Sequence, residues 1–145
     1  NEFSVFKNER LKKYEIKTEE VDVDIYLPFY SKIGLPAEKI KEHTQSQEGF
    51  IVPCPEILLI LKNYVQKQRE TSTKGRKDLL DIFSLLKSGL IKWSRYKELI
   101  QEYHLDSLNK DFKKLVASAR PLAELRLNEQ AISKLKKKVL SEISY

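Results

Sequence analysis

The apolar residues of this chain change period at Pro53-Cys54-Pro55. Ahead of that point they alternate. Val21, Val23 and Ile25 are interleaved with Asp22, Asp24 and Tyr26 over a run that Pro28 closes. A period of two belongs to a strand with unlike faces, which puts both aspartates on one of them. Beyond that point, Ile57, Leu58, Ile60, Leu61, Tyr64 and Val65 form a broad helical stripe, with Pro55 suited to the first helical position. A chain patterned this way is confined to strands first and helices after.

Further elements follow by the same reasoning. Phe3-Ser4-Val5-Phe6 and Tyr14-Glu15-Ile16-Lys17 read as short strands, with Thr18, Glu19 and Glu20 making a turn. A short helix is expected around Pro36 to Glu42, then a polar loop from His43 to Gly49, then a strand at Phe50-Ile51-Val52. In the second part, Leu79, Leu80, Ile82, Phe83, Leu85 and Leu86 give a helix that Ser88-Gly89 ends. Others run from about Ser94 to Tyr103, from a cap at Asp106 to about Ala119, and onward from Asn128. Lys74-Gly75-Arg76 reads as a break between two helices, the second opening with Lys77. The fold class is α+β: short antiparallel β-strands at the N-terminus followed by a bundle of about five helices. Residues 1–54 and 55–145 read as the β-rich and helical parts of one domain.

Composition narrows the function classes. Of 145 residues, 41% are hydrophobic and 33% charged, with only 4 Gly and 5 Pro, the profile of a folded, largely helical chain. No apolar run is long enough to span a membrane and no signal-peptide pattern opens the chain. One cysteine, Cys54, excludes an internal disulfide and suits a reducing, cytoplasmic compartment. With His43 and His104 alone beside it, no zinc site of ordinary spacing can form. The chain starts at Asn1 and contains no Met, so a natural start is missing: either the chain was processed or it is a piece of something longer.

Charge is unevenly placed within the net +6. Residues 1–60 carry 8 Lys/Arg against 11 Asp/Glu, residues 61–107 carry 10 against 6, and residues 108–145 carry 9 against 4. A basic back half suits a polyanionic partner. The run Lys134, Lys136, Lys137 and Lys138, taken alone, reads as an ordinary solvated helix face.

The residues with chemistry concentrate between Lys62 and Asp81. Lys62 and Arg69 are seven residues apart, on one helix face, and both side chains are long enough to reach a phosphate chain. Lys62 also lies at the margin of the apolar stripe, where a partly desolvated ammonium needs an anion. Asp78 and Asp81 follow in the next helix. At the start of that helix Asp78 favours its positive end, whereas Asp81, among apolar neighbours, suits a pair with Lys62 or Arg69. Upstream, Asp22 and Asp24 are hard oxygen ligands on one strand face that can hold Mg²⁺ with help from phosphate oxygens. Such a face also occurs simply as the solvated side of an edge strand. Thr71 to Arg76 lacks the glycine spacing of a P-loop, and no nucleophile elbow is present.

In order, the strand bearing Asp24, the strand Phe50-Ile51-Val52, Pro55-Glu56-Ile57-Leu58-Leu59 running into Lys62, Arg69, and Lys77-Asp78-Leu79-Leu80-Asp81-Ile82 resemble the C-terminal half of the nucleotidyltransferase superfamily. The likeness is to its minimal and abortive-infection toxin types and covers roughly residues 21–86. It implies a third metal-binding carboxylate at Asp24, with Asp22 sharing the metal or taking that place. It also implies a nucleotide-contacting lysine at Lys62, a helix arginine at Arg69, and a second-helix set at Lys77, Asp78 and Asp81. The catalytic set would be Asp24, Lys62 and Asp81. The intact protein would use Mg²⁺ to move a nucleotidyl group from an NTP to a hydroxyl on RNA or protein. The family's leading Gly-Ser and Asp-x-Asp motif is absent, as Leu11-Lys12-Lys13-Tyr14-Glu15-Ile16-Lys17 stands ahead of the Asp22 strand. Two-metal activation is therefore incomplete, and this chain alone is expected to be inactive.

The alternative is a non-catalytic helical module that holds nucleic acid or an acidic partner protein. That function would depend on Lys113, Lys114, Lys136 and Lys137 rather than on Lys62.

Overall fold

The structure, a computed structural model, describes residues 4–144, so Phe3 of the first expected strand lies outside the described residues. The fold is α+β, with antiparallel strands followed by helices. The chain divides into two compact units, one ending at Pro53 and the other beginning at Cys54.

In the β unit, β1 (Ser4–Asn8), β2 (Lys13–Lys17) and β3 (Asp22–Ile25) form an antiparallel meander. Its register sets Val5 opposite Ile16 and Ile16 opposite Val23, so one β-branched row crosses all three strands. On the opposite face Glu15 stands across from Phe6 and Asp24. Thr18 makes the β2–β3 turn: its hydroxyl donates to the Val21 carbonyl and accepts from the Val21 amide.

Short strands β4 (Lys32–Ile33) and β5 (Leu35–Pro36) lead into α1 (Ala37–Ile40), shorter than the helix expected around residues 36–42. Pro36 takes part in β5 instead, opposite Lys32. Residues 43–49 are also not a loop. Thr44–Gln47 forms β6, paired with β7 (Phe50–Pro53). Glu48 (φ 49°) and Gly49 (φ 82°) make the two-residue, left-handed turn that suits a hairpin's twist. All four β6 residues are polar and exposed, so no alternation of apolar residues marked the strand.

The helical unit carries α2 (Pro55–Gln68), α3 (Thr73–Ser88), α4 (Trp93–Glu102), α5 (Asp106–Ser118) and α6 (Glu129–Ile143). Buried Ile57, Leu59 and Ile60 of α2 share this unit's core with Ile82, Phe83, Leu99, Ile100, Phe112, Val116, Val139 and Ile143. Each such side chain contributes about 1.5–3 kcal/mol on burial. Buried polar groups tie the helices together. The Tyr96 hydroxyl donates to Asn109 Oδ1 at 3.1 Å, and Asn63 Nδ2 donates to the Leu108 carbonyl at 3.1 Å. The Lys92 amide donates to the buried Glu56 carboxylate at 2.7 Å. Tyr96 is a core residue, packed edge-on against Trp93.

The helix ends follow local chemistry. Pro55 occupies the first turn of α2, Asn128 caps α6 by accepting from the Ala131 amide, and Gly89 closes α3 at φ 73°. Asp106 is the first residue of α5 rather than its cap, a place held by Leu105. Its charge suits the positive helix end without capping it. The Gly75 break is absent: α3 begins two residues earlier, at Thr73, with Ser72 as cap accepting from the Gly75 amide at 3.0 Å. No described helix is long and apolar enough to cross a membrane.

Candidate functional site

Helices α2 and α3 pack along one another and bring Lys62, Arg69, Asp78 and Asp81 together. Starting α3 at Thr73 moves Asp78 and Asp81 out of its first turn, so neither serves the helix end. Asp78 is 2% exposed, and each of its oxygens faces a cation. Oδ2 accepts from Arg69 Nε at 2.7 Å, and Oδ1 lies 3.6 Å from Lys62 Nζ. Lys62 Nζ then reaches Asp81 Oδ2 at 2.7 Å. The four groups form a ladder in the order Arg69, Asp78, Lys62, Asp81. Of the two cations considered for Asp81, Lys62 is the one that pairs with it.

The ladder is graded in exposure. Asp78 is at its floor, whereas Lys62, Arg69 and Asp81 are partly open to solvent. A buried carboxylate that holds two half-open cations fixes their heads with little loss left to bear when a ligand arrives. Arg69 ends α2 as its C-cap, with φ −138° and ψ 27°, so it leaves helical geometry while keeping its side chain on Asp78.

Lys74 and Lys77 lie on the first turns of α3, both exposed. Lys77 precedes Asp81 by one turn, and Lys74 precedes Asp78 by one turn. Lys62, Arg69, Lys74 and Lys77 therefore outnumber Asp78 and Asp81. Arg76, between them, points elsewhere and pairs with Glu124 at 3.0 Å. The surroundings of Lys62 on α2 are apolar and partly open: Leu58, Leu61 and Val65 flank it at helical spacing.

Asp22 and Asp24 belong to the β unit, on the charged face of the meander, and both are exposed. Asp24 Oδ2 accepts from Lys13 Nζ at 2.7 Å, and Lys13 also contacts Glu15 at 3.1 Å. Burial works to lower the Lys13 pKa, but its bonds to Asp24 and Glu15 outweigh that and hold it above its ordinary value. Lys13, followed by Asn8, holds the Glu15 carboxyl below its own. Among the described residues no group of three or more His, Cys, Asp or Glu is placed to hold a metal. Of the two exposed carboxylates Asp22 and Asp24, Asp24 is already engaged by Lys13.

Gly75 has a structural place that its sequence position does not reveal. A glycine inside a helix reads as a break, and only the close approach of the Arg69 carbonyl gives it a reason to be there. At Cys54, the residue before α2, burial pushes the thiol above its ordinary value. Comparison of the chain with protein-family models, with curated proteins and with solved structures gives no match.

Proposed function

We propose that the helical unit receives the phosphate chain of a nucleoside triphosphate at Lys62 and Arg69, as the nucleotide-holding part of a nucleotidyltransferase-like protein. The reading is supported above all by one observation. A single buried carboxylate, Asp78, faces both cations across the packed pair α2 and α3.

Lys62 and Arg69 neutralise the phosphates, Arg69 as a fork and Lys62 as a point charge. Asp78 and Asp81 are positioning residues: they hold the two cations and do not touch the nucleotide. Lys77, one turn ahead of Asp81, adds a mobile cation at the rim. Mg²⁺ enters as the counter-ion that the triphosphate carries, and no step is assigned to it. In the intact protein the nucleotidyl group passes to a hydroxyl of an RNA or protein acceptor. This chain alone binds without transferring, because nothing in its sequence matches the Gly-Ser and Asp-x-Asp carboxylates that the resemblance calls for.

The test is a transfer assay with each radiolabelled NTP and bulk RNA as acceptor. The expected result is no incorporation above background by these 145 residues. Incorporation lost on Lys62→Gln would refute the inactive reading. It would also strengthen the assignment of Lys62.

A further inference from the structure

The lysine run near the C-terminus is not uniform. Lys136 is partly buried and its ammonium donates to the Ala119 carbonyl at 3.0 Å, at the end of α5. Lys134, Lys137 and Lys138 are exposed, and none has an ion-pair partner among the described residues. Elsewhere in the helical unit Lys62, Lys67, Arg69, Arg76 and Arg95 all pair with carboxylates.

On α6 these three lysines share a continuous face with Gln130, Ser133 and Ser141, every one of them exposed. At 3.6 residues per turn the six positions fill an arc of about 140°. The arc contains no acidic and no apolar residue. Ile132, Val139 and Ile143 lie on the opposite side and are buried, which fixes the lysine face toward solvent.

We infer that this face of α6 binds the phosphate backbone of a nucleic acid, without reading its sequence. The composition of the face selects that partner. An anionic membrane surface would be met by basic residues interleaved with Trp, Phe or Leu that enter the lipid, and the arc has none. A protein interface draws its affinity from aromatic and apolar anchors and is depleted in Lys, and again the arc has none. Phosphate oxygens need what it does present, namely Lys ammoniums and hydroxyl and amide donors. Lys136, which the charge pattern pointed to, acts instead by anchoring α6 to the end of α5. The surface is distinct from the Lys62 ladder and does not depend on it.

The experiment is fluorescence anisotropy of a short fluorescein-labelled single-stranded RNA titrated with the full chain across a range of salt. Three triple variants are compared. Lys134→Gln/Lys137→Gln/Lys138→Gln removes the face, and the corresponding Lys→Arg triple keeps its charge. Lys12→Gln/Lys32→Gln/Lys41→Gln removes the same charge from exposed lysines of the β unit. The expected result is RNA binding that the α6 Gln triple weakens at least about tenfold at low salt. That triple also makes the log–log salt slope shallower by about 2, the value for three lost phosphate contacts on a single strand. The Arg triple and the β-unit triple should bind like the parent. Equal weakening by both Gln triples would reduce the effect to net charge and overturn the inference. So would binding that is insensitive to salt, absence of RNA binding by the parent, or tighter binding to phosphatidylserine vesicles or to polyglutamate than to RNA.

Discussion

Gly75 lies so close to Arg69 that a Cβ on it would stand 2.0 Å from the Arg69 carbonyl oxygen. That oxygen is already engaged, accepting from the Ser72 amide at 2.9 Å and from the Ser72 hydroxyl at 2.6 Å. The turn from α2 into α3 therefore has no room for a side chain. Gly75→Ala gains about 1 kcal/mol of helix propensity and loses more to the displaced backbone. A net loss of about 1–3 kcal/mol is expected in urea unfolding. An unchanged or raised stability would mean that the turn relaxes freely.

Removal of the two ladder carboxylates should have unequal effects. Asp78 is buried and faces both cations, so Asp78→Asn should cost about 1.5–3 kcal/mol, the range for a hydrogen bond to a charged group. Asp81 is partly exposed and pairs with one, so Asp81→Asn should cost less than about 1 kcal/mol. Midpoints of denaturant unfolding at constant slope test the order. A larger loss at Asp81 would contradict it.

The two units differ sharply in what they bury. Among the described residues, only Leu35 and Ala37 of the buried hydrophobic residues belong to the β unit, whereas Val5, Phe6, Val21, Val23, Phe50 and Ile51 of that unit are exposed. Hairpins and small sheets without a covered face are marginal in water. A fragment of residues 54–145 should unfold cooperatively with helical circular dichroism, and a fragment of residues 1–53 should show no cooperative transition. A cooperative melt of the β fragment would refute this.

Acid should act on the meander through Glu15. Held below its ordinary value by Lys13 and Asn8, Glu15 contributes stability that is complete above about pH 4.3 and is lost as pH falls through the folded value. Lys13, held high, contributes stability below about pH 10.4 that is lost as pH rises through its own folded value. An NMR titration of the Glu15 carboxyl should have its midpoint below the ordinary one, and Lys13→Gln should raise it. No change in that variant would remove Lys13 as the cause.

The helices were legible because their signals are local. Pro55, Gly89 and Asn128 mark ends by backbone chemistry that any fold must obey. Ile57 and Ile60 of the α2 stripe and Ile82, Phe83 and Leu86 of the α3 stripe are buried, whereas Leu58 of the α2 stripe is exposed and Leu59 beside it is buried in its place. β6 was not legible, since Thr44-Gln45-Ser46-Gln47 buries neither face and is paired only because Glu48-Gly49 turns the chain back. Of the site, the grouping of Lys62 with Asp81 could be argued from residue type and helix position. The burial of Asp78, the place of Arg69 as a cap and the need for Gly75 could not. Each depends on how closely two helices approach, which spacing along one chain does not encode.

The most direct test of the central proposal is isothermal titration of the 145-residue chain with MgATP and MgCTP, repeated on Lys62→Gln and Arg69→Gln. The account predicts saturable binding of at least one nucleotide, weakened about tenfold or more by either substitution, the loss of one charge-assisted phosphate contact. Absence of binding, or binding that both substitutions leave intact, would contradict it.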